Sequence, residues 1–155
     1  MGAMSEIVVS KIVEASPDRV WEVLTNLDGA AETLTGVVSV QRMTDGPYAV
    51  GTRWRETRKM FGKEMTEEMW VAESDPWRRS LVRAESGGAD YVTEFTLTPL
   101  DNDARTELVV RFGAQMTSPS ALQKLGMKVF GGVAEKASRK ALEQDLTDIA
   151  AAAED

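Results

Sequence analysis

Alternation of apolar and polar residues predicts a chain built mainly of β-strands. Residues 6–15 are rich in β-branched side chains, which favour an extended strand. Later in the chain, Leu108, Val110 and Phe112 recur at every second position and so share one face of a strand. Six strand-like runs follow the first, separated by Gly, Pro, Asn and Asp turn signals; they are residues 37–44, 52–60, 63–73, 79–85, 91–100 and 106–116. Short loops between consecutive strands predict an antiparallel meander.

Helical signals lie between the first and second strands. Ser16 is expected to cap free N–H groups, Pro17 suits the first helical position, and Asp18 complements the helix dipole. We expect this helix to end at Asp28-Gly29, and residues 30–34 predict a second short helix. Trp21 is expected to pack in the core from the first helix.

The last part of the chain has a helical pattern. Apolar residues recur at roughly helical spacing from Pro119 to the C-terminus, which predicts a helix of about 30 residues spanning about 45 Å. Gly131-Gly132 predicts a bend or break in it, because glycine weakens a helix. The alternating charges of residues 135–148 are interpreted as a solvated face.

The entry motif Ala15-Ser16-Pro17-Asp18-Arg19-Val20-Trp21, the run Val50-Gly51-Thr52-Arg53-Trp54-Arg55-Glu56 and the Asp75-Pro76 turn resemble the START-like proteins of the SRPBCC superfamily. Within that superfamily the chain is most similar to bacterial polyketide cyclase/dehydrase-type proteins, over about residues 5 to 150. The resemblance implies an α+β helix-grip fold. In this fold a curved seven-stranded antiparallel sheet wraps around a long C-terminal helix, with two short helices between strands 1 and 2. We expect one START-like domain at residues 5–153 and interpret residues 1–3 as a cloning scar.

The same resemblance implies a cavity between the sheet and the long helix. Members of the superfamily bind or transport lipids and other hydrophobic molecules, some cyclise polyketides, and some relatives act as co-chaperones or ribosome-directed factors. They have no shared catalytic triad whose residues can be transferred to this chain.

The hairpin around Phe61-Gly62 allows its register to be predicted. If these two residues form the loop, Met60 pairs with Lys63, and one face of the hairpin carries two opposite-charge pairs, a hydroxyl pair and a cation–aromatic pair. Those pairs are Lys59–Glu64, Arg55–Glu68, Thr57–Thr66 and Arg53–Trp70. A three-residue loop with Gly62 in a bulge would shift the register. The favourable pairs favour the first alternative.

The other, more apolar face of this hairpin is assigned to the cavity. It places Glu56 opposite Glu67, with Arg58 diagonal to Glu67. One hypothesis is a polar patch in an apolar pocket, where burial and like charge raise the pKa of one Glu so that it can donate a proton. The alternative is an ion-pair cluster at the open end of the sheet. Candidate acid/base groups are Glu56, Glu67 and Tyr91.

Further ligand-binding candidates are apolar or aromatic. On the sheet they are Trp54, Met69, Tyr91, Phe95 and Phe112, and on the long helix Met127 and Phe130 are candidate gate residues. Packing is an equally good interpretation of Trp54 and Tyr91, whereas Trp77 after a turn proline is expected at the surface.

Composition removes several kinds of chemistry. The chain has no His and no Cys, which excludes His-based triads, thiol nucleophiles, disulfides and the usual zinc sites. No cofactor and no metal are therefore predicted. A net charge of −7 argues against nucleic acid as a partner. No apolar run approaches a membrane span and no signal peptide is evident, so we expect a cytoplasmic protein that is not an integral membrane protein. No oligomeric state is predicted.

Three functions remain open from the sequence. The first is a carrier or sensor of a small hydrophobic ligand. The second is a cyclase/dehydratase-type enzyme that positions a poly-β-keto chain while a carboxylate or Tyr moves protons. The third is an interaction protein that uses its sheet, as a co-chaperone does.

Overall fold

The fold is dominated by one antiparallel sheet. The computed structural model describes residues 4–60, 62–86, 89–116 and 132–155. Within them, seven strands form a sheet in the order β1-β7-β6-β5-β4-β3-β2, so the first strand pairs with the last. The strands are β1 (Met4–Val13), β2 (Val37–Arg42), β3 (Arg53–Met60), β4 (Lys63–Asp75), β5 (Arg79–Ser86), β6 (Ala89–Leu100) and β7 (Arg105–Met116). The predicted meander is confirmed.

Three helices accompany the sheet in the described residues. α1 (Pro17–Leu24) and α2 (Ala30–Thr33) lie between β1 and β2, and α3 (Gly132–Glu154) forms the C-terminal helix. The two short helices and the α+β helix-grip class are therefore confirmed. The predicted helical segment from Pro119 and the bend at Gly131 fall outside the described residues.

The capping role predicted for Ser16 is wrong. Its side chain makes no capping hydrogen bond to the backbone of α1. The Ser16 hydroxyl instead interacts with the Asp18 carboxylate, and this hydrogen bond lowers the pKa of Asp18. A hydrogen bond from a hydroxyl to an ionised carboxylate is stronger than a hydrogen bond between a neutral hydroxyl and a backbone N–H group. Helix α1 also ends at Leu24, earlier than predicted, and the Thr25 hydroxyl donates to the Trp21 carbonyl at 2.8 Å.

The predicted register of the β3–β4 hairpin is confirmed at every pair from Met60–Lys63 to Arg53–Trp70. On its outer face, the hydroxyls of Thr57 and Thr66 lie 2.7 Å apart. The Arg53 guanidinium lies 4.8 Å from the centre of the Trp70 ring. Because side chains alternate along a strand, this register directs Trp54, Glu56 and Arg58 to the inner face.

The core consists of two apolar clusters beneath the inner face. The larger one joins the C-terminal half of α3 to α1 and to strands β1, β6 and β7, and it contains Trp21, as predicted. The smaller cluster is formed by Leu27, Trp54, Val71 and Val82. The pairing register shifts at two points in the β4-β3-β2 part of the sheet, between Val37 and Ser39 in β2 and between Val71 and Glu73 in β4. Such bulges increase the local bend of a sheet, which favours a curved sheet over the helix.

Candidate functional site

A cavity of about 200 Å³ lies between the inner face of the sheet, the two short helices and α3. Its wall is mostly apolar. The described lining residues on the helices and the segment that joins α1, α2 and β2 include Val23, Leu24, Leu27, Leu34, Leu142 and Ile149. Small ligands bind in concave apolar sites with a few polar groups, and this cavity has that character.

Most of the predicted ligand-binding residues of the sheet lie together in this wall. The lining residues include Trp54, Glu56, Arg58, Glu67, Met69, Phe95 and Phe112. They come from β3, β4, β6 and β7. The confirmed register of β3 and β4 places those of the hairpin on its inner face. That a ligand contacts them stays a prediction.

Tyr91 packs against a residue of the cavity wall, and its role in ligand binding or acid/base chemistry stays a prediction. It is not among the described residues that line the cavity. Its ring stacks on Phe112, with the ring centres 5.9 Å apart, so Phe112 has the cavity position and Tyr91 supports it. Burial raises the pKa of the Tyr91 phenol, and the charge of Glu67 raises it further. The candidate gate residues Met127 and Phe130 lie outside the described residues.

An ion-pair cluster forms the polar part of the wall. Nε of Arg58 donates to the Glu56 carboxylate at 2.7 Å. The two terminal nitrogens of Arg58 donate to both oxygens of Asp145 on α3, at 3.2 and 2.8 Å. The side chains are largely buried, with exposed fractions of 25% for Arg58, 11% for Glu56 and 9% for Asp145. The cluster is thus an ion-pair network in the cavity wall, and a role for these side chains as a polar patch toward a ligand stays a prediction.

Asp145 is the residue that sequence reasoning missed. The charges of residues 135–148 were expected on a solvated face, but Asp145 is only 6% exposed, so this interpretation is wrong at that position. Its place on the helix was the available signal, because Asp145 lies three residues after Leu142 and four before Ile149, within the apolar stripe. An acidic residue in such a stripe needs a buried partner, and Arg58 supplies it.

Burial and charge act in opposite directions in this cluster. Burial alone would lower the pKa of the Arg58 guanidinium, but the charges of Asp145 and Glu56 and their hydrogen bonds raise it well above its ordinary value. Arg58 is therefore a permanent cation. Burial raises the pKa of Asp145, and the nearby charge of Glu56 adds to this, whereas Arg58 lowers it. A Cβ on Gly36 would lie 3.3 Å from a terminal nitrogen of Arg58, so glycine leaves room for the guanidinium.

Glu67 is the third carboxylate of the wall. It lies directly opposite Glu56 in the hairpin. Burial raises its pKa, the charge of Glu56 raises it further, and Arg58 lowers it. This is the direction predicted for one Glu of the pair. A carboxyl group with a raised pKa can hold a proton closer to neutral pH and is suited to proton transfer or to hydrogen-bond donation.

Tyr48 is a second lining residue that the sequence did not indicate. Its hydroxyl shares a hydrogen bond of 2.5 Å with Ser80, which is completely buried. Its ring contacts Trp21 edge to face and lies beside Trp54, with ring centres 6.2 and 6.4 Å away. Burial raises the pKa of the Tyr48 phenol, against the effect of the Ser80 hydrogen bond. A satisfied, buried hydroxyl of this kind fixes the ring as a wall.

Two kinds of feature are absent from the described residues. In the described part of the chain, no group of three or more acidic side chains is arranged to hold a metal ion. Among the same residues, no helix is both long and apolar enough to cross a membrane.

Solved structures with the same fold include enzymes. The Zhui aromatase/cyclase from Streptomyces sp. R1128 is 20% identical, with a TM-score of 0.80 over 98% of this chain and 94% of that one. The di-domain ARO/CYC StfQ from the steffimycin biosynthetic pathway is 17% identical, with a TM-score of 0.74 over 97% of this chain and 51% of that one. Norcoclaurine synthase from Thalictrum flavum is 16% identical, with a TM-score of 0.71 over 96% and 92%. At these identities the likeness shows the fold alone.

Sequence comparison gives the family directly. No curated protein matches the sequence significantly. A family model described as polyketide cyclase / dehydrase and lipid transport matches residues 4–154, which is almost the whole chain. The chain therefore belongs to this polyketide cyclase / dehydrase and lipid transport family, within the SRPBCC superfamily.

Proposed function

We propose that the protein binds a small hydrophobic ligand in the cavity between the sheet and α3, as a carrier or sensor. The observation that carries this proposal is the cavity of about 200 Å³ with a mostly apolar wall and one polar cluster. The family description, which includes lipid transport, supports the same class of ligand. Native mass spectrometry of the purified protein tests whether a hydrophobic molecule is retained.

Filling the cavity provides the first mutational test. Ala141 lines the cavity from α3, so Ala141→Trp places an indole in the ligand space. We expect the affinity for an uncharged naphthyl fluorophore to fall at least about tenfold, since loss of about 60 Å² of apolar contact corresponds to about 1.5 kcal/mol. Fluorescence titration measures it. Ala151→Trp, on the exposed face of the same helix, is the matched control and should bind as wild type does. Equal binding by both variants would place the ligand elsewhere.

A second candidate function is proton-transfer catalysis of the cyclase/dehydratase type. The observation that favours it is the raised pKa of Glu67 opposite Glu56 in the cavity wall. The carboxyl of Glu67 would donate a proton while the apolar wall holds a poly-β-keto chain in a reactive arrangement.

Glu67→Gln separates the two functions. If Glu67 is a general acid, the variant should lose about a hundredfold or more in turnover of a short poly-β-ketothioester and retain binding. In the wild type, the rate should fall as pH rises through the raised pKa of Glu67, because the acid must be protonated. Cyclised product is measured by chromatography. Absence of wild-type turnover, with the thioester bound, contradicts the enzymatic function and leaves the carrier function in place.

A further inference from the structure

The charged side chains of the cavity wall are unbalanced. Among the described lining residues, the charged groups are one guanidinium, Arg58, and three carboxylates, Glu56, Glu67 and Asp145. When all four are ionised, the described lining residues carry two negative charges more than positive ones. Buried charges are expensive unless paired, so the wall itself discriminates between ligands by charge.

Arg58 is not free to hold an anionic ligand. Its Nε is bonded to Glu56, and both terminal nitrogens are bonded to the two oxygens of Asp145. Arg58 thus forms a bidentate pair with Asp145 and a third hydrogen bond with Glu56. These bonds occupy the N–H groups that an incoming carboxylate would need. A ligand carboxylate would have to displace one of these partners and would bring a fourth negative charge to the wall.

Glu67 is the carboxylate left over. The Glu67 carboxylate is repelled by the like charge of Glu56 and attracted by Arg58. Within the described residues, no side chain forms a hydrogen bond with this carboxylate. Phe112 lines the same cavity as Glu67, and the ring of Tyr91 stacks on Phe112. A carboxylate beside aromatic rings is a favourable environment for an ammonium group. The net charge of −7 also favours the approach of cations over anions.

We propose that the polar group of the ligand is a protonated amine, held by the Glu67 carboxylate, and that the cavity selects hydrophobic amines over hydrophobic carboxylic acids. This inference rests on the proposed binding function and specifies the chemical class of its ligand. The apolar body of the amine would lie against Met69, Phe95 and Phe112, and its ammonium charge would neutralise one of the two negative charges that Arg58 leaves uncompensated among the described lining residues.

Three probes of one shape test the inference. Naphthylmethylamine, naphthylmethanol and naphthoate carry a positive, a neutral and a negative group at about pH 7.5. Isothermal titration of the 155-residue chain should show the amine binding at least about tenfold more tightly than naphthoate, with the alcohol between them. Raising the salt concentration should reduce the ratio of amine to naphthoate affinity only slightly, because salt screens a largely buried ion pair less than an ion pair on the surface.

Glu67→Gln identifies the group responsible. In this variant the ratio of amine to naphthoate affinity should fall to about twofold, while the alcohol affinity changes by less than about twofold. Glu64→Gln is the matched control, since Glu64 is exposed and lies on the outer face of the same strand; it should keep the wild-type ratio.

Each other outcome is decisive. Naphthoate binding as tightly as the amine, or an unchanged ratio in Glu67→Gln, overturns the inference while the proposed binding function stands. If the uncharged alcohol and both charged probes all fail to bind the wild type, the proposed function fails and the inference fails with it.

Discussion

Arg58→Met is expected to destabilise the protein by about 3–5 kcal/mol at neutral pH, because it leaves Glu56 and Asp145 buried without their shared cation. This is a large part of the roughly 5–15 kcal/mol that holds a typical domain folded. Urea unfolding followed by circular dichroism measures the loss. The deficit should shrink at lower pH, because burial raises the pKa of Asp145, so that without Arg58 this carboxyl takes up a proton there and part of the penalty is removed.

The matched control for this prediction is Arg53→Met. Arg53 lies on the same strand but on the outer face, where it pairs with Glu68 at 3.0 Å and both side chains are 40% exposed. Exposed pairs contribute about 1 kcal/mol or less, so this variant should lose no more than that. Neutralising the two carboxylates in Arg58→Met, with Glu56→Gln and Asp145→Asn, should restore most of the stability. A loss below about 1 kcal/mol for Arg58→Met would contradict the account of the cluster.

Trp54→Ala is expected to cost about 3–5 kcal/mol and to enlarge the cavity, because the indole is only 4% exposed and belongs to both the smaller core cluster and the cavity wall. The cost combines the lost transfer of the ring from water with the void left behind. Chemical unfolding measures stability, and titration with naphthyl and larger apolar probes measures the size limit. The variant should accept probes that the wild type excludes.

Trp77→Ala is the control of the same residue type. Trp77 is 57% exposed and occupies a turn with a φ angle of 69°, a conformation that alanine shares without relief or added strain. We expect a change within about 0.5 kcal/mol and an unchanged probe limit. Trp54→Phe, which keeps a ring, should lie between the two. Similar losses for Trp54→Ala and Trp77→Ala would show that burial does not decide the role of Trp54.

One cluster of side chains both joins β3 to α3 and lines the cavity. Arg58 joins β3 to α3 across the cavity wall, and the same two bonds that hold the helix also occupy the guanidinium. The charge that a ligand meets is therefore set by the fold. Variants of Arg58 should therefore change both the stability of the fold and the affinity for charged ligands. Variants of Glu67 should mainly change ligand affinity, because Glu67 forms no hydrogen bond with Arg58 or Asp145, the two residues that join β3 to α3.

Local patterns in the sequence determined much of the architecture. The two-residue period and the turn residues predicted the strands, and the complementary pairs across Phe61-Gly62 predicted the register of β3 and β4, which the structure confirms. Register places alternate side chains on opposite faces, so it also brought Trp54, Glu56 and Glu67 to the same inner face. The strands and this register could be predicted because they depend on residues that are close in sequence or paired across one hairpin, where the spacing along the chain defines which side chains meet.

Only the tertiary structure decided which distant groups meet. Asp145 is separated from Arg58 by 87 positions, and its burial depends on how α3 lies over the sheet. The ring of Tyr91 stacks on Phe112 of the neighbouring strand, a contact that alternation along β6 does not predict. The sequence by itself determined the strand pattern and the acidic pair of the hairpin, and its resemblance to the START-like proteins implied the helix-grip architecture. The packing of α3 decided that Asp145 joins Arg58 and Glu56 in a buried ion-pair cluster, since long-range contacts carry no signature in local periodicity.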